Sequence, residues 1–202
     1  MSTSVIYRSA RGYELLMRLL YGRHYSARMS AVASQVPTGA SVLELCCGPG
    51  TLYQRHLRGR TSEYVGLDVN EGFLAGLRHR GVDARRLDLA STSPAEPLPP
   101  ADVVIIQASL YHFLPDAAVL VDRMLAAARE RVIVSEPIRN LSTSGLPGVG
   151  LLGRRAADPG VGGHGERFTE ATLDELMARY STRVQAAFLI PGGREKVYVL
   201  AA

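Results

Sequence analysis

The spacing of apolar residues changes several times along the chain, and each change marks an element. Leu15, Leu16, Leu19 and Leu20 recur at helical spacing, with Arg11 and Arg18 on the same stretch. Gly22 divides this region, from about Ser9 to Gln35, into two helices, the second carrying Arg28, Met29, Val32 and Val36. The short run Val42-Leu43-Glu44-Leu45 then passes into a loop of small residues, Cys46-Cys47-Gly48-Pro49-Gly50, with a helix-compatible stretch behind it. A second run, Tyr64-Val65-Gly66-Leu67, ends on Asp68. Ser91 to Pro100 carries four prolines, so no helix runs through it. Residues 138–167 are rich in glycine, serine and proline and show no period; so long an irregular stretch is functional or disordered. Phe168-Thr169-Glu170 opens a helix, with Thr169 as N-cap and Phe168 set to staple against Leu173. Leu173, Leu176, Met177 and Tyr180 supply its buried stripe.

A strand that enters a glycine loop and then a helix is how a parallel α/β sheet brings backbone close to a ligand. The carboxylate about twenty residues on, Asp68, is placed to accept hydrogen bonds from a ribose. The pair points to a nucleoside-containing cofactor. A dinucleotide fold requires G-x-G-x-x-G, and Tyr53 stands where its third glycine belongs, which would push the helix off the strand. No Gly-Lys-Ser/Thr comes next to hold a nucleoside triphosphate.

The loop resembles the first motif of the class I S-adenosylmethionine-dependent methyltransferases, E/D-x-G-x-G-x-G. Glu44 is the acidic residue, Gly48 and Gly50 are the last two glycines, and Cys46 takes the place of the first. The resemblance implies an α/β fold: a seven-stranded, mostly parallel doubly wound sheet with a C-terminal antiparallel hairpin and N-terminal capping helices. It implies an adenine-side acid after the third strand, which Arg85-Arg86-Leu87-Asp88-Leu89 supplies as Asp88. It implies a fourth strand leading into the site, matched by Ala101 to Phe113, and a fifth, matched by Arg131 to Pro137. A hairpin is expected from Val184 to Ile190, the turn Pro191-Gly192-Gly193 and Lys196 to Leu200. The similarity runs in the family's order over about residues 40–202 of a single domain, 1–202. Residues 1–38 form its helical cap, and 138–168 a lid or substrate segment.

Composition narrows the classes. At 202 residues and 47% hydrophobic content the chain can bury a full core. No apolar run approaches the ~20 residues of a membrane span, and no secretory signal is visible, so a cytoplasmic location is expected. Cys46 and Cys47 are adjacent and lack partners at ligand spacing, which argues against a disulfide framework and against zinc. The net charge of +4 comes almost wholly from arginine, Lys196 being the only lysine. The arginines lie in scattered groups (Arg55, Arg58, Arg60; Arg78, Arg80; Arg85, Arg86; Arg154, Arg155) and read as a solvated surface rather than a nucleic-acid face.

For the site, the resemblance implies a role for each of a set of residues. Cofactor contacts fall to Glu44, Cys46, Cys47, Gly48, Gly50 and Leu52 of the loop, Asp68 and Val69 after the second strand, Asp88 and Leu89 after the third, and Gln107 and Ala108 after the fourth. Asp68 accepts from both ribose hydroxyls, and Asp88 or the backbone beside it meets the adenine amine. Glu44 orders the loop or reaches the methionine ammonium through water. Tyr25 and Arg28 of the cap either face the cofactor's amino-acid end or simply close one end of the sheet. Methyl transfer from a sulfonium to give S-adenosylhomocysteine is an in-line displacement, so positioning carries most of the catalysis. If a proton must be removed, His112 is the candidate, because imidazole titrates near neutral pH; its other role would be to cap the helix that starts at Leu114-Pro115-Asp116. Tyr111 lines the pocket or packs in the core. Tyr21, His24, Glu136 and His164 are candidate substrate contacts, with a solvated loop as the alternative for His164.

The acceptor class is read from the residues after the fourth strand. Gln107-Ala108-Ser109-Leu110 stands where base amino-group methyltransferases carry Asn/Asp-Pro-Pro-Tyr/Phe, and resembles enzymes of small-molecule and lipid-like acceptors. Leu146 to Leu152 is apolar and suits a greasy substrate, a lid or peripheral membrane contact. The expected function is therefore methyl transfer to a small apolar or aromatic metabolite. An RNA or protein methyltransferase would instead show a contiguous arginine face beside the cofactor mouth. A non-catalytic cofactor-binding partner or sensor would show a closed acceptor pocket.

Overall fold

The computed structural model describes residues 22, 24–91, 93, 96–139 and 167–202. Its centre is a seven-stranded sheet in the order β3-β2-β1-β4-β5-β7-β6. The strands are β1 Val42–Leu45, β2 Tyr64–Asp68, β3 Asp83–Arg86, β4 Ala101–Gln107, β5 Ala128–Pro137, β6 Val184–Leu189 and β7 Glu195–Ala201. The first five run parallel, and β7 alone is antiparallel to both of its neighbours, β5 and β6. This is the expected doubly wound sheet with its terminal hairpin. The turn falls on Gly192 and Gly193, whose φ values of 97° and 62° lie in the left-handed region.

Alternation along β1 explains the two layers. Leu43 and Leu45 enter one core with Val104, Ile106, Val132 and Val134. That face is covered by α3, Ala117–Ala127, through Leu120, Val121 and Met124, and by α4, Glu170–Ala178, through Leu173 and Met177. Val42 belongs to the other core with Val103, Ile105, Ile133, Val197 and Val199. There α1, His24–Ala33, contributes Tyr25, Met29, Val32 and Ala33. At the far edge α2, Glu71–Arg78, buries Leu74 and Leu77 with Ala84 of β3 and Cys47.

Local signals were realised in detail. Thr169 caps α4 in a reciprocal capping box with Thr172, while Phe168 and Leu173 share one core. Leu176 is only half-buried; Tyr180 is buried, its hydroxyl donating to the carboxylate of Asp122. Of the cap, α1 lies within the described residues and Arg28, Met29 and Val32 face inward; the earlier helix does not. The lid segment and the apolar stretch Leu146 to Leu152 also lie outside the described residues.

Tyr53, which stands where a dinucleotide fold needs its third glycine, stacks its ring on Tyr64 of β2, with centroids 4.1 Å apart. The helix behind the loop widens there into a π-helical turn, Tyr53–Leu57. A wider turn accommodates a ring where the dinucleotide folds need a glycine.

Candidate functional site

Strand register builds the site. Leu45 of β1 stands level with Leu67 of β2 and Ile106 of β4. The next residue on each strand, Cys46, Asp68 and Gln107, therefore lies at the carboxyl edge of the sheet, where the connections leaving β1 and β4 run in opposite directions. That reversal opens a crevice in this kind of sheet. Cys46 and Ala108, which leave β1 and β4, have φ of 52° and 53° although neither is glycine. Left-handed backbone costs a residue with a Cβ about 1–2 kcal/mol, and such strain gathers at functional sites.

A cleft forms over this edge. Its floor and walls come from Glu44, Cys46, Cys47, Gly48 and Leu52 on one side and from Gln107 and Ala108 on the other. Tyr25 and Arg28 of α1 close it. Nine of the residues expected at the cofactor are thus brought together, and Met29, Pro49, Thr51 and Ser109 join them. Thr51 and Ser109 each adjoin an expected position in sequence, and Ser109 also belongs to the run Gln107-Ala108-Ser109-Leu110 read for the acceptor class.

Gly48 has φ 55° and open space where a Cβ would stand, so the loop leaves room for a ligand against its backbone. Gly50 serves packing instead: a Cβ there would come 2.6 Å from a methyl of Leu77. The Gly48 N–H donates to Asp68 Oδ2 at 2.8 Å, and the Asn70 N–H donates to Oδ1 at 2.8 Å. One carboxylate thus ties together the loops after β1 and β2. Burial raises its pKa, and the N–H groups of Asn70, Gly48 and Val69 oppose that rise.

Glu44 is buried and accepts from the Tyr64 hydroxyl at 2.7 Å. Burial pushes its carboxyl up to about 7, against the pull of that hydrogen bond. The two thiols are free, and burial followed by neighbouring carboxylates pushes both far above their ordinary value. Neutral thiols at physiological pH make poor nucleophiles, so Cys46 and Cys47 shape the loop. Arg28 donates through Nε to Glu195 at 2.7 Å, and Gln107 Nε2 reaches the same carboxylate at 3.1 Å.

The remaining expected residues that are described do not line the cleft. Asp88 is half-buried and turns back to accept from the Ala90 N–H at 3.1 Å. Leu89 packs into the core, whereas Val69 is exposed. His24 rests against the hairpin turn, where a Cβ on Gly192 would stand 3.1 Å from its ring. Glu136, expected at the mouth of the fifth strand, is fully buried. Its Oε1 accepts from the N–H groups of both Ser109 and Leu110 at 2.7 Å, while Oε2 is buried with no hydrogen-bond partner among the described residues. Tyr111 and His112 belong to a 3-10 turn, Leu110–Phe113. Tyr111 is half-buried with the Arg167 guanidinium 3.4 Å above its ring, and His112 is exposed. Tyr21 and His164 lie outside the described residues.

Arg28 is the only arginine among the described residues that lines the cleft. Others are engaged elsewhere: Arg85 with Asp83, Arg78 with Glu71 and the Ala84 carbonyl, Arg60 with the Ala33, His56 and Val36 carbonyls. Among the described residues no cluster of His, Cys, Asp and Glu could hold a metal ion. No described helix is long and apolar enough to cross a membrane.

No protein-family model and no curated protein matches the sequence. Solved structures do. Magnesium protoporphyrin IX methyltransferase (ChlM) from Synechocystis PCC 6803 with bound SAH superimposes with a TM-score of 0.63 at 16% identity, over 96% of each chain. The DhpI–SAH complex gives 0.69 at 18% identity, over 97% of this chain and 93% of that one. A methyltransferase complexed with the Haloferax volcanii Trm112 methyltransferase activator gives 0.70 at 12% identity, over 100% and 99%. The chain has the class I methyltransferase fold. At such identities the likeness speaks to architecture, and the chemistry is read from the cleft.

Proposed function

We propose that the protein binds S-adenosylmethionine in this cleft and transfers its methyl group to a small apolar or aromatic metabolite or lipid-like acceptor. The observation that carries the reading is the junction of Gly48 and Asp68: an open glycine cradle whose N–H is held by the carboxylate at the end of the next strand. The donor set fits the cofactor. Asp68 has the lone pairs to accept from ribose hydroxyls, and Asp88, after the neighbouring strand β3, is assigned to the adenine. Arg28 supplies a cation for the methionine carboxylate, and Glu44 an acceptor for the ammonium. When bound, the cofactor supplies an activated methyl group on a sulfonium. The chain supplies binding, alignment and exclusion of water, and positioning can lower a barrier by up to about 7–11 kcal/mol in ideal cases.

The acceptor side is the turn after β4, where Ser109, Tyr111 and His112 come after Ala108. The absence of the aromatic amine-holding motif supports a small-molecule acceptor, as does the magnesium protoporphyrin named for one neighbour. Free adjacent thiols fit a reducing cytoplasm. A second reading, that a protein partner completes the enzyme, is supported by the neighbour held in complex with Trm112.

Calorimetric titration tests the cofactor. S-adenosylmethionine and S-adenosylhomocysteine are expected to bind with micromolar affinity and NAD not at all. Binding of NAD alone would sink the assignment; no binding of any of the three would favour the partner-dependent reading. With an acceptor found by screening, His112→Ala should leave cofactor affinity unchanged and slow turnover about 100-fold if the imidazole takes the proton. Unchanged turnover would return His112 to a structural role.

A further inference from the structure

We infer that Glu195 is a positioning residue for the amino-acid arm of the cofactor, holding Arg28 and Gln107 in place from the C-terminal hairpin. The inference rests on the cofactor reading above. Glu195 is the first residue of β7 and stands opposite Pro137 of β5, so it lies level with the carboxyl edge of the sheet. Its carboxylate is fully buried. Donors from three other elements converge on it: Arg28 Nε at 2.7 Å and Nη2 at 3.4 Å from α1, Ser135 Oγ at 2.5 Å from β5, and Gln107 Nε2 at 3.1 Å from β4. Arg28 and Gln107 line the cleft, whereas Glu195 and Ser135 stand behind them. A second tie runs alongside, where His24 at the start of α1 packs against Gly192 in the hairpin turn.

A buried ion pair is a poor way to gain stability, because desolvation offsets most of its attraction and apolar residues of similar size serve as well. Its return here is orientation. Arginine and glutamine have long side chains with many rotamers, and immobilising them at the moment of binding costs affinity. Glu195 fixes both beforehand. It sets the guanidinium toward the cleft for a carboxylate and engages the Gln107 amide nitrogen, which also reaches the Arg28 carbonyl at 3.4 Å. The amide oxygen is left to accept from an ammonium. The two charged ends of an amino acid thus meet two groups that share one anchor.

The test compares S-adenosylhomocysteine with 5′-methylthioadenosine, which keeps the adenine, ribose and sulfur but lacks the amino-acid arm. By calorimetry Glu195→Gln should weaken the first about tenfold or more and leave the second unchanged. Glu195→Asp, which keeps the charge, should recover part of the loss. Equal weakening of both ligands would make Glu195 merely structural, and no weakening of either would remove it from the site; each overturns the inference. If Glu195→Gln does not fold, Ser135→Ala removes a single hydroxyl from the network and is expected to show the same split, at about threefold. Absence of the split there overturns the inference too. Wild-type protein that binds neither ligand would overturn the cofactor reading itself, before any variant is compared.

Discussion

Replacing Asp68 by alanine is expected to weaken S-adenosylhomocysteine binding about 100-fold or more, the largest loss from any single residue of the proposed site. Two charge-assisted hydrogen bonds to ribose hydroxyls are worth roughly 1.5 kcal/mol or more each, and each 1.4 kcal/mol is about tenfold in affinity. Geometry adds to that sum. The same carboxylate holds the Gly48 and Asn70 N–H groups at 2.8 Å, so its loss also releases the loop that forms the cradle. Asp68→Asn separates the contributions, because its one carbonyl oxygen can keep one of these N–H groups while the charge is gone. Its affinity should fall between the wild type and Asp68→Ala. The carboxylate lies outside both main cores, so circular dichroism should show the fold retained in both variants. Calorimetric affinity within about threefold of wild type in Asp68→Ala would remove the ribose assignment.

The site was legible where chemistry depends on neighbours in sequence. Cys46 to Gly50 is a loop whose small residues lie side by side behind β1, and Asp68 closes the next apolar run, so their meeting at one sheet edge is dictated once the strands are parallel. The N-cap at Thr169 was visible for the same reason, since capping is settled within one helical turn. Contacts set by register across the sheet were not. Glu195 lies 167 residues from Arg28, and only the pairing of β7 with β5 brings them together. The left-handed turn at Ala108 had no glycine to announce it. How Tyr53 fits behind the loop was not legible, because its place depends on a π-helical turn where a regular α-helix would be expected. Glu136 was placed correctly along the chain, at the end of the fifth strand. Its direction was not legible, because the side chain turns inward to the backbone N–H groups of Ser109 and Leu110.

That inward turn makes stability depend on pH in an unusual direction. Burial pushes the Glu136 carboxyl from 4.5 up to about 8; the N–H groups of Leu110 and Ser109 oppose the rise, and the nearby Glu195 adds to it. Between those values the folded protein keeps a proton that the unfolded chain has lost. The unfolded state then binds fewer protons, so stability is fully present below about pH 4.5 and falls as pH rises toward 8. Glu44, pushed up to about 7, acts in the same direction. At roughly 1.4 kcal/mol per pH unit the combined loss is several kcal/mol, and Tm should drop on the order of 10 °C between pH 5.5 and 8.5. Glu136→Gln keeps an oxygen for the two N–H groups and cannot ionise. It should flatten most of this slope and melt above the wild type at pH 8.5, as tracked by circular dichroism. A wild-type Tm that stays level across the interval would mean that the carboxyl is ionised throughout and that the two N–H groups outweigh burial. The consequence reaches the acceptor side, because the backbone that Glu136 grips carries Tyr111 and His112. Above pH 8 the ionised carboxylate holds those N–H groups more strongly while destabilising the fold around it, so the turn is firmest where the protein is weakest.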